Sequence, residues 1–212
     1  MTENLIQGTD EWKLARCGSL GASRVADAIA RTKSGWGASR ANLMAELIAE
    51  RLTGIPTEGY VNAAMTWGTE TEPQARDAYS FYSDVDVKLV GLIRHHTIPM
   101  THASPDGLIG DDGIVEIKCP MVSTHIDTLL GTPIPAKYIT QMQWQLACTE
   151  RQWCDWVSYD PRLPGSMQLF VKRVHRDDAM IADLEKLVRE FLAEIEIKVR
   201  ALRDRYEQKA AA

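Results

Sequence analysis

Residues 102–120, HASPDGLIGDDGIVEIKCP, leave the least freedom to the fold. Side chains alternate faces along a strand, so a strand over 114–119 puts Ile114, Glu116 and Lys118 on one side and Val115, Ile117 and Cys119 on the other. Just upstream, Ser104-Pro105-Asp106-Gly107 is turn chemistry, with Pro presetting φ and Gly supplying conformational freedom. Two carboxylates and an amine converging on one spot, Asp106, Glu116 and Lys118, suit a divalent cation such as Mg²⁺. Such hard ions take carboxylate and carbonyl oxygens and commonly a phosphate as well. Lys118 would then orient or deprotonate a water, or stabilise charge on a phosphate. The plainer reading is a β-turn followed by the solvated face of a half-buried sheet, and spacing alone does not separate the two.

Around this stretch the periodicities predict helices, then strands, one helix, two strands and a final long helix. A short helical pattern from residue 10 breaks at Gly18-Ser19-Leu20-Gly21-Ala22-Ser23. An amphipathic helix with Val25, Ala26 and Ile29 inward follows. Ser23 would lie near that helix's N-terminus, where free N–H groups attract anions, and Arg16 could meet the same anion. A cap and a surface charge explain the two residues equally simply. Residues 31–38 read as a mobile Gly-rich loop, and Ser39 as the cap of a helix over about 40–52, ended by Gly54.

Residues 67–73, WGTETEP, are expected to precede a helix reaching about Ser83. Glu70 and Glu72 then fit either its acidic first turn or a third metal carboxylate. Residues 87–94 read as one strand and 120–135 as a Pro-rich loop. The helix after Pro135 places Tyr138, Gln141 and Gln145 on one face, either to touch a phosphate backbone or attacking water, or as its wet side. Runs 152–159 and 167–174 predict an antiparallel pair, and 177–208 a long amphipathic helix packed intramolecularly. The fold class expected is α/β (α+β), a mixed central sheet flanked by helices, in a single domain over 1–212.

Composition sets limits. With 45% hydrophobic and 25% charged residues and no biased tract, the chain is globular. No apolar run is long enough to span a membrane, and the N-terminus lacks the basic start and apolar core of a secretion leader. Cys17, Cys119, Cys148 and Cys154 show no CxxC pair and no zinc spacing and read as buried or inert thiols in a reducing cytosol, which also weighs against a cysteine-bound iron–sulfur cluster. His95, His96 and His102 form no zinc motif and are left without a role. The net charge of −5 argues against bulk attraction to DNA and requires basic residues confined to a channel; Arg31, Lys33, Lys137 and Arg162 are candidates.

With these residues laid out, the chain resembles the phage lambda-type exonucleases, the viral recombination branch of the PD-(D/E)XK nuclease superfamily. The resemblance runs from about residue 10 to 175. It rests on Trp12 with Leu14 and Arg16, Gly21-Ala22-Ser23, Trp67-Gly68 with Glu72, and Ser104-Pro105-Asp106-Gly107. It continues through Glu116-Ile117-Lys118-Cys119-Pro120, Tyr138 with Gln141 and Gln143, and Tyr159-Asp160-Pro161-Arg162. It implies a restriction-endonuclease-like core and a set of roles. Asp106, Glu116, the Ile117 carbonyl and Glu72 (rather than Glu70) would hold metal; Lys118 and Gln141 would act at the scissile phosphate. Arg16, Ser23 and Ser104 would hold phosphates, and Tyr138 and Gln143 would contact DNA beside them.

The implied activity is processive 5′-to-3′ digestion of linear duplex DNA, preferably 5′-phosphorylated, releasing mononucleotides and leaving a 3′ single strand. Two Mg²⁺ ions, with Mn²⁺ as a substitute, would serve it; its rate would rise as Lys118 loses its proton, or Lys118 would work instead as a charged hydrogen-bond donor, and the sequence does not decide between them. The implied setting is a ring-shaped homotrimer partnered by a phage single-strand annealing protein, encoded by phage or prophage and working in the bacterial cytoplasm. The alternatives are an endonuclease of the same fold, a non-catalytic DNA-end-binding protein and, more remotely, a metal-dependent phosphatase.

Overall fold

The run 113–118 is a strand in the middle of a five-stranded sheet, and different helices cover its two faces. The computed structural model describes residues 4–33, 35–59 and 62–207. Along the chain come α1 (Asp10–Arg16), β1 (Leu20–Gly21), a 3₁₀ turn (Ala22–Arg24) and α2 (Val25–Ala28). The antiparallel pair β2 (Arg31–Thr32) and β3 (Gly35–Trp36) leads into α3 (Ala38–Thr53) and α4 (Ala63–Ser83). Strands β4 (Val87–Lys88), β5 (Ile93–Arg94), β6 (Thr101–Ala103), β7 (Gly107–Ile109) and β8 (Gly113–Lys118) follow. Then come α5 (Val122–Leu129), α6 (Ala136–Thr149), β9 (Trp153–Tyr159), β10 (Leu169–His175) and α7 (Asp178–Tyr206).

The large sheet runs β10-β9-β8-β7-β4, antiparallel except for the parallel pair β8/β9, so it is mixed as expected. The alternation along β8 sorts its neighbours. Val115, Ile117 and Cys119 pack with Ala75 and Tyr79 of α4, while Ile114 packs with Met142, Leu146 and Ala147 of α6. Glu116 is therefore buried on the α6 side of the sheet, with Lys118 half-buried beside it, rather than on a solvated face. A second core joins α2, α3 and α7 to Trp144 of α6. Helix α7, capped by Asp177 onto the Met180 N–H, buries Ile181, Leu184, Val188, Phe191, Leu192, Ile195 and Val199 within the chain; Gln208 lies outside the described residues. Among the described residues no helix is long and apolar enough to cross a membrane.

Several local expectations are corrected. Residues 67–73 do not precede α4 but lie inside it. Asn62 caps the helix by accepting from the Met65 N–H, so Glu70 and Glu72 are not first-turn acids and Pro73 is internal. Residues 122–129, expected within a Pro-rich loop, form a helix that buries His125 and Thr128. The run 87–94 is two strands in two sheets. It breaks at Gly91, where a Cβ would stand 2.1 Å from the Leu5 carbonyl oxygen. Residues 31–32 and 35–36 pair as antiparallel strands, with Arg31 stacked 4.1 Å over Trp36. Gly37, not Ser39, caps α3, and α2 is a four-residue turn, too short for a helix-terminus argument at Ser23. Gly54 does end α3, in the left-handed region at φ 71°.

Candidate active site

Strands β7 and β8 pair Gly107 with Val115, so the next step outward brings Asp106 opposite Glu116. There a side chain replaces the backbone ladder: the Ile117 N–H donates to Asp106 Oδ2 at 2.6 Å. Glu116, only 1% exposed, is held from two elements. Gln141 Nε2 donates to its Oε1 and Gln145 Nε2 to its Oε2, each at 2.6 Å, and the Lys118 ammonium also donates to Oε1. Gln141 and Gln145 are one helical turn apart, which is why both reach a single carboxylate from α6. The expected polar stripe of α6 is therefore its inward face. Lys118 lies 5.3 Å from the Tyr138 ring centroid, so Tyr138 touches the site through the lysine.

A cavity of about 450 Å³ opens onto this cluster and brings in Arg16, Ser23, Ser104 and His102. The Arg16 guanidinium lies 3.9 Å over the Trp12 ring and donates from Nε to His102 Nε2 at 3.0 Å. Ser104 Oγ is buried without a protein partner, while Ser23 is exposed. Glu72 lines an adjoining cavity of about 630 Å³ that shares Asp106, and it is paired at 2.5 Å with Arg76. Gln143 is not at the cavity: it donates to the His175 carbonyl at 2.8 Å and accepts from the Asp177 N–H at 2.9 Å. Arg31, Lys33, Lys137 and Arg162 do not line the cavity either, and Arg162 is committed to Asp160.

Three polar residues of the cavity, Gln7, Thr69 and His102, were given no role by the sequence reading. His102 had no metal spacing to mark it. Gln7, which donates to the Val90 carbonyl at 2.9 Å and the Pro105 carbonyl at 3.0 Å, lies about a hundred residues from the turn it holds.

The charges explain what could bind. Burial and the neighbouring Glu116 push the Asp106 carboxyl well above the usual carboxylate range; Glu72 adds to this, while Lys118 and the Ile117 N–H oppose it. Burial alone would lower Lys118, but Glu116 and Asp106 outweigh it and hold the ammonium above its ordinary value. Buried Glu116 and half-buried Asp106, with the field of Glu72 reaching Asp106, face one ammonium, and a divalent cation would relieve that excess. Gln145 Oε1 and Ser104 Oγ, both buried and unpartnered, are further acceptors that fit an absent cation or a hydroxylic ligand. Among the described residues, no three His, Cys, Asp or Glu side chains gather at metal-binding distance. The donor set thus fits an ion held by two carboxylates with backbone and solvent oxygens, or by a third carboxylate only after Glu72 leaves Arg76.

Residues 11–152 match the family model described as a YqaJ-like viral recombinase domain. Among solved structures, the chain is 54% identical to the alkaline exonuclease LHK-Exo from Laribacter hongkongensis, covering 96% of this chain and 98% of that one at a TM-score of 0.85. The structure of LHK-Exo in complex with dAMP matches at 54% identity, with 94% and 99% coverage and a TM-score of 0.86. A phage related exonuclease from Haemophilus somnus 129PT shares the fold at a TM-score of 0.69 and 15% identity, over 87% of this chain and 96% of that one. No curated protein matches the chain.

Proposed function

Because this chain belongs to the YqaJ-like viral recombinase family and is a DNA nuclease of the PD-(D/E)XK type, we propose that it digests linear duplex DNA processively from the 5′ end. In this reading it acts as a single nuclease domain, releases mononucleotides and leaves 3′ single-stranded tails. The observation that carries it is the convergence of Asp106, Glu116 and Lys118 in one cavity with Arg16, an arginine poised for a terminal phosphate. Asp106, Glu116 and the Ile117 carbonyl would hold Mg²⁺, or Mn²⁺ in its place, with Glu72 joining if a second ion binds. Bound there, the cation supplies Lewis-acid stabilisation of charge on the attacked phosphate.

The protein's own groups do the rest. Gln141 and Gln145 fix the Glu116 carboxylate before substrate arrives, and Gln141 borders the cavity where the scissile phosphate would lie. Lys118, kept charged, donates toward phosphate oxygen or holds a water by hydrogen bonding. Arg16, Ser23 and Ser104 receive the 5′-phosphate, which distinguishes a duplex end from an internal bond. The remainder of the reading rests on the resemblance: a ring-shaped homotrimer, a phage single-strand annealing protein loading on the exposed 3′ strand, and action in the bacterial cytoplasm.

The test compares a 5′-phosphorylated linear duplex, its 5′-hydroxyl counterpart and a covalently closed circle, all with Mg²⁺. Steady mononucleotide release from the phosphorylated end with the circle intact is expected; cutting of the circle would move the assignment to an endonuclease. Asp106→Ala and Lys118→Ala should each abolish cleavage while DNA binding and folding persist, and wild-type rates in either would sink the catalytic assignment. Arg16→Ala should reduce the preference for phosphorylated ends.

A further inference from the structure

The Arg16 side chain is unusually constrained for a residue on a seven-residue helix. The Trp12 ring lies against its guanidinium plane at 3.9 Å, and Trp12 is itself fixed by donating from Nε1 to the Gly91 carbonyl at 2.8 Å. Among the described residues, the one hydrogen bond made by the Arg16 side chain is Nε–H to His102 Nε2, at 3.0 Å. An arginine cannot accept, so this bond fixes the imidazole tautomer. The proton sits on Nδ1, which donates to Ser19 Oγ at 2.9 Å. His102 and Ser19 are both buried, at 1% and 6% exposure. Burial first, with Arg16 and Arg94 adding to it, holds His102 down to about 3, so the ring stays a neutral acceptor. Gly21 leaves the room for this pair: a Cβ there would stand 3.2 Å from His102 Nε2 and 3.3 Å from Arg16 Nη2.

We infer that His102, backed by Ser19, is the positioning residue of the phosphate grip, holding Arg16 by its Nε so that both Nη donors remain available to one terminal phosphate. This deepens the proposed function and rests on its assignment of Arg16. Two in-plane donors on a restrained guanidinium recognise a phosphate as a fork, and preorganising them removes the ordering cost at binding. His102 itself does not touch the substrate.

The experiment measures kcat and KM on 5′-phosphorylated and 5′-hydroxyl duplexes, taking the ratio of kcat/KM values as the readout. His102→Leu should lower that ratio about tenfold, the scale of one charge-assisted hydrogen bond, mainly through KM for the phosphorylated end. His102→Gln, whose side-chain oxygen can accept from Arg16 Nε, should restore most of the ratio. Gly21→Ala, at a backbone φ of −81° that alanine tolerates, should lower it by crowding the pair without removing a polar group. Arg16→Ala with His102→Leu should be no worse than Arg16→Ala alone, because both disable one unit.

A wild-type ratio in His102→Leu, or additive losses in the double variant, would overturn the positioning role while leaving the Arg16 assignment intact. A wild-type ratio in Arg16→Ala would overturn the phosphate assignment and this inference with it. Should His102→Leu fail to fold, the decision passes to the other two variants. A retained ratio in Gln with a loss in Gly21→Ala supports the role, and the reverse pattern refutes it.

Discussion

Glu116 and Asp106 stand on different terms although both face the same cavity. Glu116 accepts from Lys118, Gln141 and Gln145, so its charge is compensated by donors built into the fold. Asp106 accepts one backbone N–H and otherwise meets burial and the charge of Glu116, which raise it well above its ordinary value of 3.8. Between 3.8 and that raised value the folded protein keeps a proton that the unfolded chain releases, so stability falls as pH rises through the window. Asp106→Asn should therefore raise the Tm of the metal-free protein at neutral pH, by on the order of a few degrees, and the gain should vanish as pH falls below the window. Added Mg²⁺ should reverse the order, stabilising the parent and leaving the variant unmoved. Thermal scans with and without the ion decide this; an Asn variant no more stable than the parent at neutral pH would mean that the carboxylates need no cation.

Helix α6 shows how one element divides its labour between site and scaffold. Buried on nearly every side, it sends Gln141 and Gln145 to Glu116 and Gln143 to the junction between β10 and α7. Gln143→Ala should lower stability by about 1–3 kcal/mol, the price of two lost buried hydrogen bonds, without changing cleavage per folded molecule. Gln141→Ala should do the opposite, cutting the rate while Tm changes little; paired denaturation and cleavage assays would expose the reverse assignment.

The sequence made this helix, β8, the β9/β10 pair and α7 readable because each keeps a clean period over its whole length. It hid the first half of α4, since Pro73 looks like a helix start and here is an interior residue supported by the packing of Ala75 and Tyr79. It hid α5 because prolines flank it. The Asp106, Glu116 and Lys118 cluster was legible from a short local pattern. The Arg16–His102 bond was not, because its partners are 86 residues apart and only the parallel pairing of β1 with β6 brings them together.

For the molecule as a whole, the unresolved tension is an acidic chain, with a net charge of −5, that acts on a polyanion. Two of its exposed arginines are already neutralised within the fold, since Arg162 and Arg173 are each paired with an aspartate. If charge alone held DNA, loading and run length would both fall steeply as salt rises, because each phosphate contact releases counterions. Enclosure predicts a different pattern: salt weakens the encounter, but a strand already threaded through a ring cannot leave sideways. A single-turnover assay with excess heparin added after loading should therefore show run lengths that change little with salt while the loaded fraction drops. The active species should sediment at three times the mass of one chain. Run lengths that shrink in step with loading, from a species of one chain's mass, would replace enclosure with ordinary electrostatic grip and leave the ring without support.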